Sequence, residues 1–121
     1  MNVTTRPSLG DSRLAARLKR GTQAEILFAP ADRGRYATDA SIYQIEPYGV
    51  VVPRSLDDVQ AAMSLCREEG IPVLPRGGGT SQCGQTVNRA LVLDCTKYLR
   101  GVVSVDVEAL AARVQPGITL G

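Results

Sequence analysis

Three consecutive glycines, Gly77, Gly78 and Gly79, lie between Leu74-Pro75-Arg76 and Thr80-Ser81-Gln82-Cys83-Gly84-Gln85. No other stretch restricts the chain as strongly, because residues without Cβ free the backbone to turn through positive φ and to approach another molecule closely. Successive N–H groups in such a turn form a concave donor surface. The hydroxyls of Thr80 and Ser81 add donors and Arg76 adds positive charge, so the pattern suits a phosphate or pyrophosphate. A glycine triplet also serves plain turns for steric reasons, and the flanking sequence has to decide between the two readings.

Upstream, Gly49 to Val52 is a β-branched run closed by Pro53, the composition of a buried strand. Ser55 opens a helix, with Asp58 three residues later in the manner of a capping box. Leu56, Val59, Ala62, Met63 and Cys66 recur at helical spacing and predict the buried face, while Asp57, Gln60, Ser64, Arg67 and Glu68 point away. Gly70 ends this helix, Ile71 to Leu74 is a second apolar strand interrupted by Pro72, and the glycine loop follows. A helix crossing between two strands predicts that they are parallel neighbours. The loop then projects beyond the carboxyl end of the second strand, where α/β sheets bind ligands.

Ala90 to Leu93 reads as a third strand, and Val102 to Val105 with Ala111 to Val114 flank Asp106 to Ala109 as a hairpin would. Pro116-Gly117 makes a further turn, and the stop at Gly121, with nothing to cover what precedes it, reads as a truncation. The expected fold class is α+β: a βαβ unit with a glycine loop, then a β-hairpin, on a sheet of mixed direction. Before this, Met1 to Pro7 is expected to fray. Ser12 caps a short basic helix with Leu14 and Leu18 on one side, Arg13, Arg17, Lys19 and Arg20 elsewhere, and Gly21 as its stop. Its basic face is read as solvated rather than as a membrane or partner surface. Ala24 to Phe28 is a brief apolar run, and Pro30 to Ser41 has the mixture of an irregular connection. Residues 1–35 are thus a helical lead-in and 36–121 the organised domain.

Composition removes several function classes. A net charge of +2, one Phe, four Tyr and no Trp offer little to nucleic acid, either by field or by base stacking. No apolar run approaches the ~20 residues of a membrane span, and the N-terminus lacks the apolar core of a secretion signal. The expected location is cytoplasmic, or peripheral to a membrane. With no histidine in the chain, a zinc site or a histidine-based triad lacks its commonest member, and no metal ligand is assigned. Cys66, Cys83 and Cys95 form no Cys-x-x-Cys and read as reduced thiols; Cys66 and Cys95 are expected to pack, and Cys83 falls inside the loop. Two familiar phosphate loops fail on spacing. Gly79-Thr80-Ser81 lacks the lysine of a Walker loop, and a strand rather than a helix follows Gly84, which excludes the dinucleotide fingerprint.

A third pattern fits. Tyr36-Ala-Thr-Asp-Ala-Ser41, Val50-Val-Val-Pro-Arg-Ser55, Val73-Leu-Pro-Arg-Gly-Gly-Gly-Thr-Ser81 with Gly84-Gln85, and Val114-Gln-Pro-Gly117 occur in the order of FAD-linked oxidases. From Tyr36 to Gly121 the chain resembles the N-terminal portion of the p-cresol methylhydroxylase-type FAD-binding domain of the vanillyl-alcohol oxidase superfamily. Within it, the likeness is greatest to D-2-hydroxyacid dehydrogenases of the glycolate oxidase and D-lactate dehydrogenase kind, including long forms with an iron–sulfur region.

The resemblance implies that Arg76, Gly77, Gly78, Gly79, Thr80 and Ser81 form the pyrophosphate loop of FAD, completed by Gly84 and Gln85, with Pro53 and Pro75 at strand ends near the cofactor. Some relatives tether FAD through a histidine near the position of Thr80. Without histidine, binding here is expected to be noncovalent. It further implies a parent enzyme that oxidises a small 2-hydroxy acid of the D-lactate, glycolate or 2-hydroxyglutarate type. Its catalytic residues, the rest of the FAD site and any iron–sulfur cluster would lie in a C-terminal region beyond Gly121, so no catalytic residue is named, and the fragment alone is expected to be inactive. The competing expectation is a nucleotide-binding or interaction module without redox activity.

Overall fold

The computed structural model describes residues 8–81 and 84–119; the expectations for Met1 to Pro7 and for Cys83 lie outside them. Four strands make the main sheet: β1 Glu25–Leu27, β2 Gly49–Val52, β3 Val73–Arg76 and β4 Leu91–Asp94, in the order β1-β2-β4-β3. β1 runs antiparallel to β2, while β2 and β3 both run parallel to β4, so the sheet is of mixed direction as expected. Three helices, α1 Ser12–Gly21, α2 Pro30–Arg35 and α3 Leu56–Glu69, precede or connect these strands, and β5 Val102–Asp106 pairs with β6 Ala111–Val114 as a separate antiparallel hairpin.

The expected adjacency of β2 and β3 is corrected. They are parallel to one another, but β4 lies between them. All four residues of β2 and of β4 are buried, which suits strands with neighbours on both sides and covered faces. β3 carries Pro75. Pro72 O accepts from the Leu91 amide and Arg76 O from the Cys95 amide, so the even-numbered positions of β3 face β4 and Pro75 faces the open edge, where its missing N–H costs nothing.

Alternation across the sheet builds two cores. Val51, Leu91 and Leu93 point to one face, where Leu14 and Leu18 of α1 and Ala62, Leu65 and Cys66 of α3 cover them. Val50, Val52 and Val92 point to the other, against Leu27, Tyr36, Leu74 and Tyr98. Helix α1 is therefore packed into the same core as the sheet. Its cap is Asp11 rather than Ser12: the Asp11 carboxylate accepts from the amides of Arg13 and Leu14. Gly21 is its last residue and Thr22 its C-cap. The stretch read as irregular, Pro30 to Ser41, begins instead with α2, for which Pro30 provides a preset first turn.

Helix α3 starts at the Ser55 cap, whose hydroxyl accepts from the Asp58 amide, and ends at Gly70 in the left-handed conformation. The capping box is not reciprocal. Asp58 turns inward and accepts from the amides of Gln23 and Arg54 at 2.8 and 2.9 Å, which joins the entry to β1 to the start of α3. The buried face is also rotated from the expected one: Asp58, Ala62, Leu65, Cys66 and Glu69 are inside, whereas Leu56 and Met63 are 62% and 51% exposed. Leu56, Val59 and Met63 line an apolar depression of about 260 Å³ with Val73, Pro75, Leu93, Cys95, Leu99 and Pro116. Glu69 can be inside because Arg13 donates to both its oxygens at 2.7 and 2.8 Å and Arg17 to one at 2.5 Å. Those guanidinium groups, Arg13 first, hold its carboxyl at about 2, well below the usual range.

Candidate functional site

The loops that leave the carboxyl ends of β3 and β4 and the turn after β6 converge on one side of the molecule. They enclose an open cavity of about 610 Å³ lined by Gly77, Gly78, Thr80, Thr96, Arg100, Pro116, Gly117, Ile118 and Thr119. Its position outside the carboxyl ends of parallel strands is where open α/β sheets place ligands.

The glycine wall is built for close approach. A Cβ on Gly77 would meet nothing within 4 Å, and one on Gly78 only the Thr80 methyl at 3.8 Å, so the absence of side chains there keeps space that no protein atom fills. Gly77 and Gly78 are exposed and outside any strand. Among the described residues, the amides of Gly77, Gly78, Gly79 and Thr80 donate to no protein acceptor. Open space, free amides and the Thr80 hydroxyl are the donor set that a diphosphate needs.

The remaining expected residues surround the loop without lining the cavity. Gly79 has φ +71, and a Cβ there would strike the Arg76 guanidinium. Gly84 has φ +79 and lies against the Tyr43 ring, and the Ser81 hydroxyl donates to Gln85 Oε1. The Arg76 side chain, expected at the anion, turns to the other side of its strand: Nη1 donates to Thr86 O at 3.1 Å and to Tyr36 O at 3.5 Å, and the guanidinium lies 5.3 Å from the Tyr36 ring centroid. Pro53 is fully buried at the end of β2, and Pro75 lines the apolar depression.

The cavity is also lined by residues that the sequence reading did not single out. Arg100 lines the cavity, is exposed and forms no salt bridge among the described residues, so its charge is available to a ligand there. Thr96 is set by Asp94, whose Oδ1 accepts from the Thr96 amide at 2.9 Å and from its hydroxyl at 2.6 Å. Asp94 Oδ2 accepts from the Tyr36 hydroxyl, and burial together with this bond pushes the phenol up to about 12. The third wall is set by Gly117, whose amide donates to Leu99 O at 2.7 Å. The signal for Thr96 and Arg100 was their place just after an apolar strand parallel to the loop's own; Pro116-Gly117 was visible as a turn, with no means of seeing that it folds back onto the same cavity.

Cys66 and Cys95 are buried, as their apolar surroundings implied, and burial pushes the Cys66 thiol up to about 11. The described residues contain no cluster of three or more His, Cys, Asp or Glu able to hold a metal ion. No helix among them is long and apolar enough to cross a membrane.

Residues 47–121 match the family described as FAD binding domain. Over 96 residues the chain is 38% identical to the glycolate oxidase subunit GlcD of Bacillus subtilis (strain 168), covering 75% of this chain and 20% of that protein. Over 103 residues it is 34% identical to the D-2-hydroxyglutarate dehydrogenase of Escherichia coli (strain K12), covering 83% of this chain and 10% of that protein. The chain thus spans a fifth and a tenth of the length of these two relatives. Among solved structures, it superposes on alkyldihydroxyacetonephosphate synthase with a TM-score of 0.76 at 20% identity, covering 97% of this chain and 24% of that one. For p-cresol methylhydroxylase the TM-score is 0.73 at 18% identity, with 91% and 23% covered. The two structural likenesses speak for the fold alone.

Proposed function

The chain belongs to the FAD binding domain family, and on that premise we propose that it is part of a flavin-dependent dehydrogenase or oxidase that acts on a small 2-hydroxy acid. In this reading, residues 36–121 belong to the FAD-binding domain and 1–35 lead into it, with β1 completing its sheet and α1 its core. The relatives named glycolate oxidase subunit and D-2-hydroxyglutarate dehydrogenase support the substrate class. The observation that carries the reading is the glycine wall, with Cβ-free space over Gly77 and Gly78 facing a cavity bounded by Arg100 and the Gly117 turn.

Within that cavity, the amides of Gly77, Gly78 and Thr80 and the Thr80 hydroxyl hold the FAD diphosphate, and Arg100 offsets its charge. Gly79, Ser81, Gly84 and Gln85 shape the loop, and the Arg76 guanidinium ties its exit at Thr86 O to Tyr36 O. FAD supplies the acceptor for a hydride when bound; this chain's residues orient it by its phosphates and offer the flavin no histidine to bond to, and in this reading the association is noncovalent. The groups that handle the substrate are assigned to sequence outside this segment, as is any iron–sulfur cluster. The buried, unpaired thiols of Cys66 and Cys95 accord with a reducing compartment such as the cytoplasm.

The test is to purify the full-length protein that carries this segment and titrate its apoprotein with FAD. Saturable binding, followed by bleaching of the flavin absorbance on addition of D-lactate, glycolate or D-2-hydroxyglutarate, is expected. Failure to bind FAD removes the reading, and binding without reduction by any 2-hydroxy acid removes its substrate half.

A further inference from the structure

None of the described residues before β2 lines the cavity, yet Tyr36, Ala40 and Asp39 hold the glycine loop at its entry, apex and exit. Asp39 Oδ2 accepts from the Thr86 hydroxyl at 2.8 Å and from the Thr86 amide at 3.4 Å. Its Oδ1 accepts from the Ser41 amide at 2.8 Å and from the Ser41 hydroxyl. Thr86 O in turn accepts from Arg76 Nη1, and Gly79 O accepts from the Ala40 amide at 3.1 Å. The chain of contacts closes on itself: Asp39 to Thr86, Thr86 to Arg76, Arg76 beneath Gly79, and Gly79 back to Ala40 beside Asp39.

Such a ring has a consequence for ligand affinity. A stretch with Gly77, Gly78, Gly79 and Gly84 samples many conformations when free, and ordering it on binding subtracts from the affinity. A loop already fixed at three points presents its amides in one arrangement before a diphosphate arrives. The Ser41 and Thr86 donors keep the Asp39 carboxyl at about 2, Ser41 foremost, so the anchor is charged at any working pH.

We infer that Asp39 and Thr86 are positioning residues for the cofactor loop: the Asp39 carboxylate, through the Thr86 hydroxyl and Arg76, fixes the glycine amides in their binding arrangement. The inference rests on the reading of that loop as the FAD diphosphate site. Neither side chain lines the cavity, so their effect on FAD passes through the backbone of the loop.

The experiment measures FAD dissociation constants on the full-length apoprotein by quenching of flavin fluorescence, with thermal midpoints of the apo forms alongside. Asp39→Asn and Thr86→Val are expected to weaken FAD binding by on the order of tenfold, the size associated with losing a charge-assisted hydrogen bond. Thr86→Ser, which keeps the hydroxyl, should bind as the unaltered protein does. If Asp39→Asn fails to fold, the Thr86→Val and Thr86→Ser pair decides alone. Wild-type affinity in Thr86→Val, even with a lowered thermal midpoint, overturns the inference, as does equal weakening in Thr86→Ser. An unaltered apoprotein that does not bind FAD overturns instead the reading of the loop.

Discussion

Gly117 packs directly on the backbone of the Cys95 to Leu99 turn: its amide donates to Leu99 O at 2.7 Å, and a Cβ at this position would overlap the Cys95 carbonyl oxygen. That contact joins the turn after β6 to the end of β4, and so fixes the distance between two walls of the cavity. Neither partner is the tip of a movable side chain, so relief requires the backbone to shift. Gly117→Ala is expected to destabilise the folded protein by at least about 2 kcal/mol, in the range of overpacked sites, and to lower FAD affinity with it. Chemical denaturation of the variant measures the first, and an unchanged midpoint would show that the turn is free to move away.

Gly78 calls for the opposite outcome. A Cβ there meets only the Thr80 methyl at 3.8 Å, and its φ is not in the left-handed region, so Gly78→Ala should fold with a near-normal thermal midpoint. The space it fills is the space proposed for the diphosphate, so FAD affinity should drop by roughly tenfold or more, and further in Gly78→Val, whose branched side chain is larger and stiffer. Cys83→Ser, by contrast, should leave flavin content near normal. Equal flavin content in purified Gly78→Val and Cys83→Ser would remove Gly78 from the site.

The Glu69 carboxylate gives the fold an acid limit. Its folded pKa of about 2 lies below the roughly 4.3 of a free glutamate, so the clamp contributes fully above that value and is lost as pH falls towards 2. Glu69→Gln should lower the thermal midpoint at pH 7 and flatten its decline between about pH 4.5 and 2. The measurement is a series of melts across that range; parallel curves for the two proteins would show that the Glu69 charge adds nothing to the joining of α1 and α3.

The sequence disclosed β2, β3, β4, the loop and the hairpin, because β-branched runs and glycine clusters act locally, whereas β1 is three residues long and read only as a brief apolar run. It hid the strand order, although a clue was present. Pro75 bars β3 from a central place while Gly49–Val52 and Leu91–Asp94 are apolar enough to be covered on both faces, and together these argue for β4 in the middle. The inner face of α3 was misread for a different reason. Asp58 and Glu69 look like solvent residues, and only partners from distant sequence, the Gln23 amide and the Arg13 and Arg17 guanidinium groups, make their burial possible. The same limit applied to Arg76, whose charge is absorbed by carbonyls 10 and 40 residues away.

Arg100 supplies the last test, because it is the arginine that lines the cavity among the described residues and the loop's own arginine is turned aside. An exposed guanidinium interacts with a diphosphate through a field that salt screens over about 8 Å at physiological ionic strength. Its contribution should therefore appear as a salt-dependent part of the affinity. Arg100→Gln removes the charge while keeping a polar side chain, and is expected to weaken FAD binding roughly three- to tenfold at low salt and less at high salt. Arg100→Lys keeps the charge but not the paired donors, so it should recover most of the salt dependence and only part of the affinity. Titrations of the full-length apoprotein at low and high salt distinguish these outcomes. If Arg100→Gln matches the unaltered protein in both conditions, the charge that meets the diphosphate comes from elsewhere in the protein.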